Sequence, residues 1–282
     1  MKFLIKFLII IVISSKTFSQ IYTDEDISIF NSKIQLAEKN NLSQLPINQI
    51  ISFIGKSFIS TPYEAHTLEI TDDEELIINL RTLDCTTFLE TVFAISLCVK
   101  NQKTSFDDFK DYLRKIRYRD GLIKDYTSRL HYFSDWIFHN QRKNLIEDVT
   151  ERLGGIKVSF KLNYMTSNHH LYKHLKNNQK FIDIMKKIEN EISNRNYFYL
   201  AADDIRKIEE KILEGDFIAF TTNQKGLDVG HVGIAVKGND NRIYLLHAPE
   251  KGSYVQITDE PLQGYVKKVK KHTGIIVLRA IN

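Results

Sequence analysis

Cysteine is scarce in this chain, with only Cys85 and Cys98 among 282 residues, and that excludes a scaffold stapled by disulfides. The two cannot pair with each other either. They lie thirteen residues apart in one apolar stretch of helical character, so a rise of about 1.5 Å per residue separates them by roughly 20 Å. A disulfide needs Cα atoms within about 7 Å. Proline is equally sparse, with none between Pro62 and Pro249, and long segments can run without forced breaks. Repeats, low-complexity linkers and long runs of one charge are all missing. The 39 basic and 35 acidic residues nearly balance, and three of the basic ones, Lys2, Lys6 and Lys16, fall in the first nineteen positions. The remainder is close to neutral, which gives no electrostatic argument for a nucleic-acid partner.

Those first nineteen residues read as a signal peptide. Lys2 and Lys6 form a positive start, residues 7–13 are a short apolar core, and Thr17, Phe18 and Ser19 make a small-residue cleavage site. The apolar run is too short for a permanent membrane anchor, and no cysteine follows it to carry a lipid. The expectation is an exported protein, periplasmic or extracellular, with no integral membrane segment after the leader is removed. Residues 20–282 are then expected to form a single domain, long enough to bury a substantial core.

Along that domain, residues 24–60 read as two helices, the second over 47–58. Residues 61–63 break the pattern, residues 74–80 form a short apolar run, and Asp84 is a good N-cap for a helix that carries Phe88, Leu89, Val92 and Phe93. Residues 104–205 are rich in charge and aromatics, with helical patterns at 106–118, 180–193 and 203–213. After Gly215 and Asp216 the pattern switches to strands at 217–221, 229–236, 242–247, 254–257 and 274–279. Helices first and antiparallel strands afterwards predict an α+β fold, with the helix after Asp84 packed on a sheet.

Chemistry enters at LDCTTF, residues 83–88. A lone cysteine before an apolar helix is usually a small buried hydrophobe, and Cys98 fits that description. Cys85 differs because it falls in the first helical turn, where the dipole and unpaired amides favour a thiolate and can hold an oxyanion. Two strands near the C-terminus supply histidines, His231 in DVGHVGIAV and His247 in IYLLHAPE. On its strand His231 shares a face with Gly233 and Ala235, which predicts a groove beside the imidazole. A three-residue loop at 238–240 would pair Val236 with Arg242, Ile234 with Tyr244 and His231 with His247. Both histidines then occupy one face, so that His247 can orient His231 as the base for Cys85. His170 and His174 have the i, i+4 spacing of a metal pair, but Leu171 stands where a zinc-protease motif needs glutamate, and no metal or other cofactor is expected. The run 128–136, with Arg129, Tyr132 and Trp136, has the polar–aromatic mix of a sugar or peptide platform as well as of a core.

LDCTTF, HVGIAV and LLHAP together resemble the NlpC-type branch of the papain-like cysteine hydrolases, which act on bacterial cell-wall peptides. TPYEAHTLE at 61–69, IRYRDGLI at 116–123, SRLHYFSDW at 128–136, DVTERLGG at 148–155 and GLDVGHVGIA at 226–235 narrow the resemblance to the N-acetylmuramoyl-L-alanine amidase-like subfamily. It implies a papain-like fold with Cys85 as nucleophile, His231 as base and His247 as the third, orienting residue. It further implies that Tyr63 lines the cleft. Asp84 stands where related endopeptidases read a free peptide amine. Compact members of the branch reach the histidine sooner, so residues 104–205 are expected to be an elaboration over the cleft, with Arg129, Tyr132 and Trp136 as candidate substrate contacts. The implied reaction is cleavage of the bond between N-acetylmuramic acid and L-Ala in peptidoglycan fragments through a thioester. The alternatives are an endopeptidase cutting between D-Glu and the diamino acid, and a muropeptide-binding module without catalysis. Retention of Cys85 and both histidines argues against the last.

Overall fold

The computed structural model describes residues 20–250 and 253–282; the expected signal peptide lies outside the described residues. The helices are α1 (Asp24–Lys39), α2 (Ile47–Lys56), α3 (Cys85–Lys100), α4 (Phe106–Arg117), α5 (Phe133–Arg142), α6 (Tyr164–Ser167), α7 (Gln179–Ser193), α8 (Ile205–Ile208) and α9 (Leu262–Lys268). The strands are β1 (Gln20–Ile21), β2 (Leu76–Ile77), β3 (Ile146–Asp148), β4 (Ile156–Val158), β5 (Tyr197–Ala201), β6 (Phe217–Thr222), β7 (Val229–Lys237), β8 (Ile243–His247), β9 (Gln256–Ile257) and β10 (His272–Ala280). The main sheet runs β4-β5-β10-β6-β7-β8-β9 and is antiparallel throughout, with β3 also on β10. The α+β class expected from the sequence is therefore present.

The sheet is covered on both faces. Phe217, Ala219, Val232, Ile234 and Ile276 point into the larger core with α2, α3 and α4. Ile218, Phe220, Ala235, Leu245 and Val277 point the other way, under Ile205 of α8 and Leu262 and Val266 of α9. Helix α3 is buried from Thr87 to Val99, because its apolar residues leave no polar stripe for water. Cys98 is one of its core residues, as its ISLCVK setting suggests.

Residues 104–205 do not stand apart as a layer. They place α4 against α3 and lay β3 and β5 along β10. The polar aromatics of this segment serve its packing. Trp136 is fully buried, stacked on Phe133, and its indole N–H donates to Glu90 at 3.2 Å. The same carboxylate accepts from Arg117 Nε at 2.7 Å, and Arg117 Nη1 donates to the Ile77 carbonyl at 2.7 Å. Among the described residues, Glu90 is thus the one acid paired with the buried Arg117 guanidinium, and it reaches it from α3. Removing the carboxylate leaves that charge uncompensated, so Glu90→Ala should cost about 3–5 kcal/mol in urea unfolding. A loss below about 1 kcal/mol would show that Arg117 finds another partner or water.

Candidate active site

The approach to Cys85 is tied down at several points. Asp26, buried in the first turn of α1, accepts from the Leu80 amide at 2.8 Å and from Arg81 Nε at 3.2 Å. Leu83 bridges to Tyr63 and donates its amide to the Pro62 carbonyl at 3.0 Å. Asp84 then caps α3 in a reciprocal box. Its carboxylate accepts from the Thr87 amide at 2.7 Å, and its own amide donates to Thr87 Oγ1 at 2.9 Å. The amides of Cys85 and Thr86 keep no partner within the helix, as first-turn amides must. Cys85 is partly exposed at this end, unlike Cys98.

His231 and His247 meet. His231 Nε2 lies 2.7 Å from His247 Nδ1, with the rings edge to face. The register that brings them together differs from the expected one by two residues. Ile234 pairs with Leu246 and Lys237 with Ile243, so residues 238–242 form the loop. Gly238 donates to the Arg242 carbonyl, and Asn241 takes a left-handed φ of 63°. A two-residue slip preserves side-chain parity, and both imidazoles still share a face. The groove expected beside Gly233 does not form, because a Cβ there would lie 2.7 Å from Leu245 Cδ1. Ala235 is likewise buried.

Two residues absent from the sequence reading join the pair. Tyr265 on α9 has its ring 5.1 Å from His247, and His272 at the start of β10 lies 6.5 Å from His231 and nearly parallel to it. His272 also stacks on Phe220 at 4.9 Å. Neither residue carried a signal in the sequence: Tyr265 lies on the short helix α9, and His272 is the first residue of β10.

Electrostatics leaves the resting groups neutral. Burial, and then the Asp84 charge, pushes the Cys85 thiol up to about 12, against hydrogen bonding from the Val232 amide and Thr86. The lowered thiol expected at a helix start is thus outweighed by desolvation. Burial also holds His231 well below 6.5, helped by His247 and His272, and brings His247 down to about 4. Tyr63 is raised to about 12 by burial and then by the charges of Cys85, Asp84 and Glu250. Its amide donates to the Ser253 carbonyl at 2.8 Å. Tyr63, Asp84 and Cys85 are therefore brought together in one small patch.

The candidate substrate contacts in residues 128–136 are not free to serve. Arg129, 6% exposed, is held by Glu69 at 2.6 Å and Glu74 at 3.1 Å. Tyr132, 2% exposed, donates to Glu189 at 2.7 Å and accepts from the Met165 amide. With Trp136 in the core, this run is internal scaffolding: ion pairs hold Arg129, and hydrogen bonds to buried carboxylates hold Tyr132 and Trp136. His170 and His174 do not share a helix face, since residues 169–171 form a 3-10 turn. His174 stacks on Tyr126 instead.

The AmiA-like family, described as N-acetylmuramoyl-L-alanine amidase-like, matches residues 53–275. The chain belongs to that family. Among solved structures, this amidase-like chain is similar to an N-acetylmuramoyl-L-alanine amidase from Bacteroides uniformis ATCC 8492, with 40% identity, a TM-score of 0.79, and coverage of 84% of this chain and 99% of the other. A Bacteroides fragilis protein proposed to be a xylanase is 44% identical, with a TM-score of 0.76 and coverage of 80% and 98%. A Legionella pneumophila protein of the DUF1460 family shares the fold at 19% identity, with a TM-score of 0.71 and coverage of 92% and 97%. No curated protein matches the chain. Among the described residues of this amidase-like protein, no helix is long and apolar enough to cross a membrane.

A thiol held near 12 should alkylate slowly. Iodoacetamide at neutral pH should modify Cys85 alone, because Cys98 is fully buried, and the rate should keep climbing through the alkaline range. A fast rate that is flat below pH 7, read by mass spectrometry, would instead mean a resting thiolate.

Proposed function

We propose that this amidase-like protein is a cysteine hydrolase of papain-like, NlpC-type architecture that cuts between N-acetylmuramic acid and L-Ala in peptidoglycan fragments. The observation that carries this reading is the His231 Nε2 to His247 Nδ1 contact. With Nε2 engaged, Nδ1 is the ring nitrogen of His231 left to exchange a proton with Cys85. Family membership and the amidase name of the Bacteroides uniformis relative support the substrate class. A cell-wall substrate also fits export by the leader read in residues 1–19.

In this mechanism His231 Nδ1 takes the Cys85 proton as Sγ attacks the lactyl carbonyl carbon. The Cys85 amide stabilises the oxyanion in this reading. His231 then passes the proton to the L-Ala nitrogen, the C–N bond breaks, and a thioester remains. Water, deprotonated by His231, attacks the thioester carbonyl, and the sulfur departs and recovers its proton. His247 keeps the Nε2 proton of the imidazolium partnered throughout. Neutral Cys85 and neutral His231 are the matched starting state for such a concerted transfer.

Asp84 favours a second reading. Its charge acts on both Cys85 and Tyr63, and a carboxylate so close to the nucleophile could hold a free L-Ala amine. The enzyme would then cleave between D-Glu and the diamino acid.

Mass spectrometry of a disaccharide-tetrapeptide digest separates the two. The amidase reading expects free disaccharide and a peptide with a new L-Ala amino terminus; L-Ala-D-Glu as product would replace it with the endopeptidase reading. Folded Cys85→Ala and His231→Ala should both be inactive, while Cys98→Ala stays active. His247→Asn should retain measurable turnover, since an amide oxygen can accept from His231. Residual hydrolysis at the wild-type rate in Cys85→Ala would end the thiol mechanism.

The pH dependence has a defined sign. His231 must be neutral to act, and its folded value lies well below 6.5. The rate kcat/KM should therefore hold as pH falls from 7 through 6.5 and drop only at lower pH. An acid limb centred at or above 6.5 would contradict that assignment.

A further inference from the structure

The turn that delivers His231 is held by an element outside the sheet. Asp228, three residues before His231, is 1% exposed. One carboxylate oxygen accepts from the Ser134 amide, in the first turn of α5, at 2.7 Å. The other accepts from the Val229 amide at 2.8 Å. Among the described residues no cation pairs with this carboxylate, and burial raises its pKa. Its stabilisation comes from amides and the positive end of a ten-residue helix. The backbone of Asp228 is fixed as well, since its carbonyl accepts from the Thr222 amide at 3.1 Å.

Directly after Asp228 the ladder is irregular. Phe220 pairs with His231, but Thr221 pairs with Val229, so Gly230 is the extra residue of a bulge. Bulges bend the strand and re-aim the neighbouring side chain. The other end of the loop is clamped by Gly226, at φ +81°, whose carbonyl accepts from the Asn163 and Tyr164 amides at 3.2 and 3.0 Å. A Cβ at Gly226 would sit 2.3 Å from Asn163 Oδ1. Both clamps come from residues 133–164.

We propose that Asp228 is a positioning residue for His231, through which α5 fixes the Gly230 bulge and hence the direction of the imidazole. The proposal rests on the reading of His231 as the base. It gives residues 104–205 a role that the buried Arg129, Tyr132 and Trp136 do not supply: this segment buttresses the base from behind the sheet.

Asp228→Asn keeps one acceptor and loses the other, whereas Asp228→Ala loses both. On the disaccharide-tetrapeptide, kcat should fall about 10-fold for Asn and about 100-fold for Ala, with KM within about threefold of wild type, the scale expected for misplacing a reacting group by about 1 Å. If Asp228→Ala does not fold by circular dichroism, Asp228→Asn carries the test alone. Gly226→Ala, which disturbs the other clamp, should likewise lower kcat and leave KM. Iodoacetamide labelling of Cys85 at pH 9 should be unchanged in each folded variant, which separates a displaced base from general loosening of the site. Wild-type kcat in folded Asp228→Asn, or parallel loss of kcat and labelling, overturns the proposal. His231→Ala is the control: if it retained activity, the base assignment would fall, whereas an inactive His231→Ala beside a fully active Asp228→Asn removes only the buttress.

Discussion

Burial of α3 from Thr87 to Val99 is the constraint on which the site depends. A helix apolar on every side must be enclosed, and α2, α4 and β7 enclose it. Its polar content is driven to the few places where polar groups can be satisfied. One is Glu90, compensated by Arg117 and Trp136. Another is the N-terminus, where Asp84 and Thr87 satisfy each other and Cys85 reaches partial exposure. Because the body of the helix cannot shift without opening the core, the sulfur is fixed against the sheet to the tolerance of core packing.

The same enclosure shapes the electrostatics. At an exposed helix start, amides and dipole would favour a thiolate. Here desolvation and the neighbouring Asp84 act against it, and the thiol is held up near 12. Desolvation acts in the opposite direction on the imidazoles, holding His231 and His247 uncharged. Both members of the proposed acid–base pair therefore start in the state from which a proton can pass between them during attack. No ion pair has to be separated before the base can act.

Legibility in the sequence followed the range of the interactions. Asp84 before an apolar run marked the start of α3 because capping is local, and the shared face of His231 and His247 followed from strand parity. The hairpin register came out two residues off because residues 238–242 close through a left-handed Asn241 rather than a three-residue turn. Helix α5 was hidden by its polar–aromatic alternation. Its apolar residues pack inward while Asp135 is neutralised by Arg119 and Arg195 at 2.7 and 2.6 Å. Tyr265 and His272 were not visible at all, since only the pairing of β10 with β6 and the seating of α9 bring them beside the histidines.

Arg129, Tyr132 and Trp136 show why a polar–aromatic run is ambiguous in sequence. Such residues recognise sugars when their polar atoms face a cleft, and they build cores when those atoms find buried partners. The choice depends on acids supplied from far along the chain: Glu69 and Glu74 for Arg129, Glu189 for Tyr132 and Glu90 for Trp136. With those partners in place, freeing Arg129 would leave the buried Glu74 without its cation, and freeing Tyr132 or Trp136 would remove a buried hydrogen bond from Glu189 or Glu90, which keep Thr166 and Arg117. In the proposed function, recognition then falls to the surface around Cys85, with Tyr63, Asp84 and Tyr265 as its candidates.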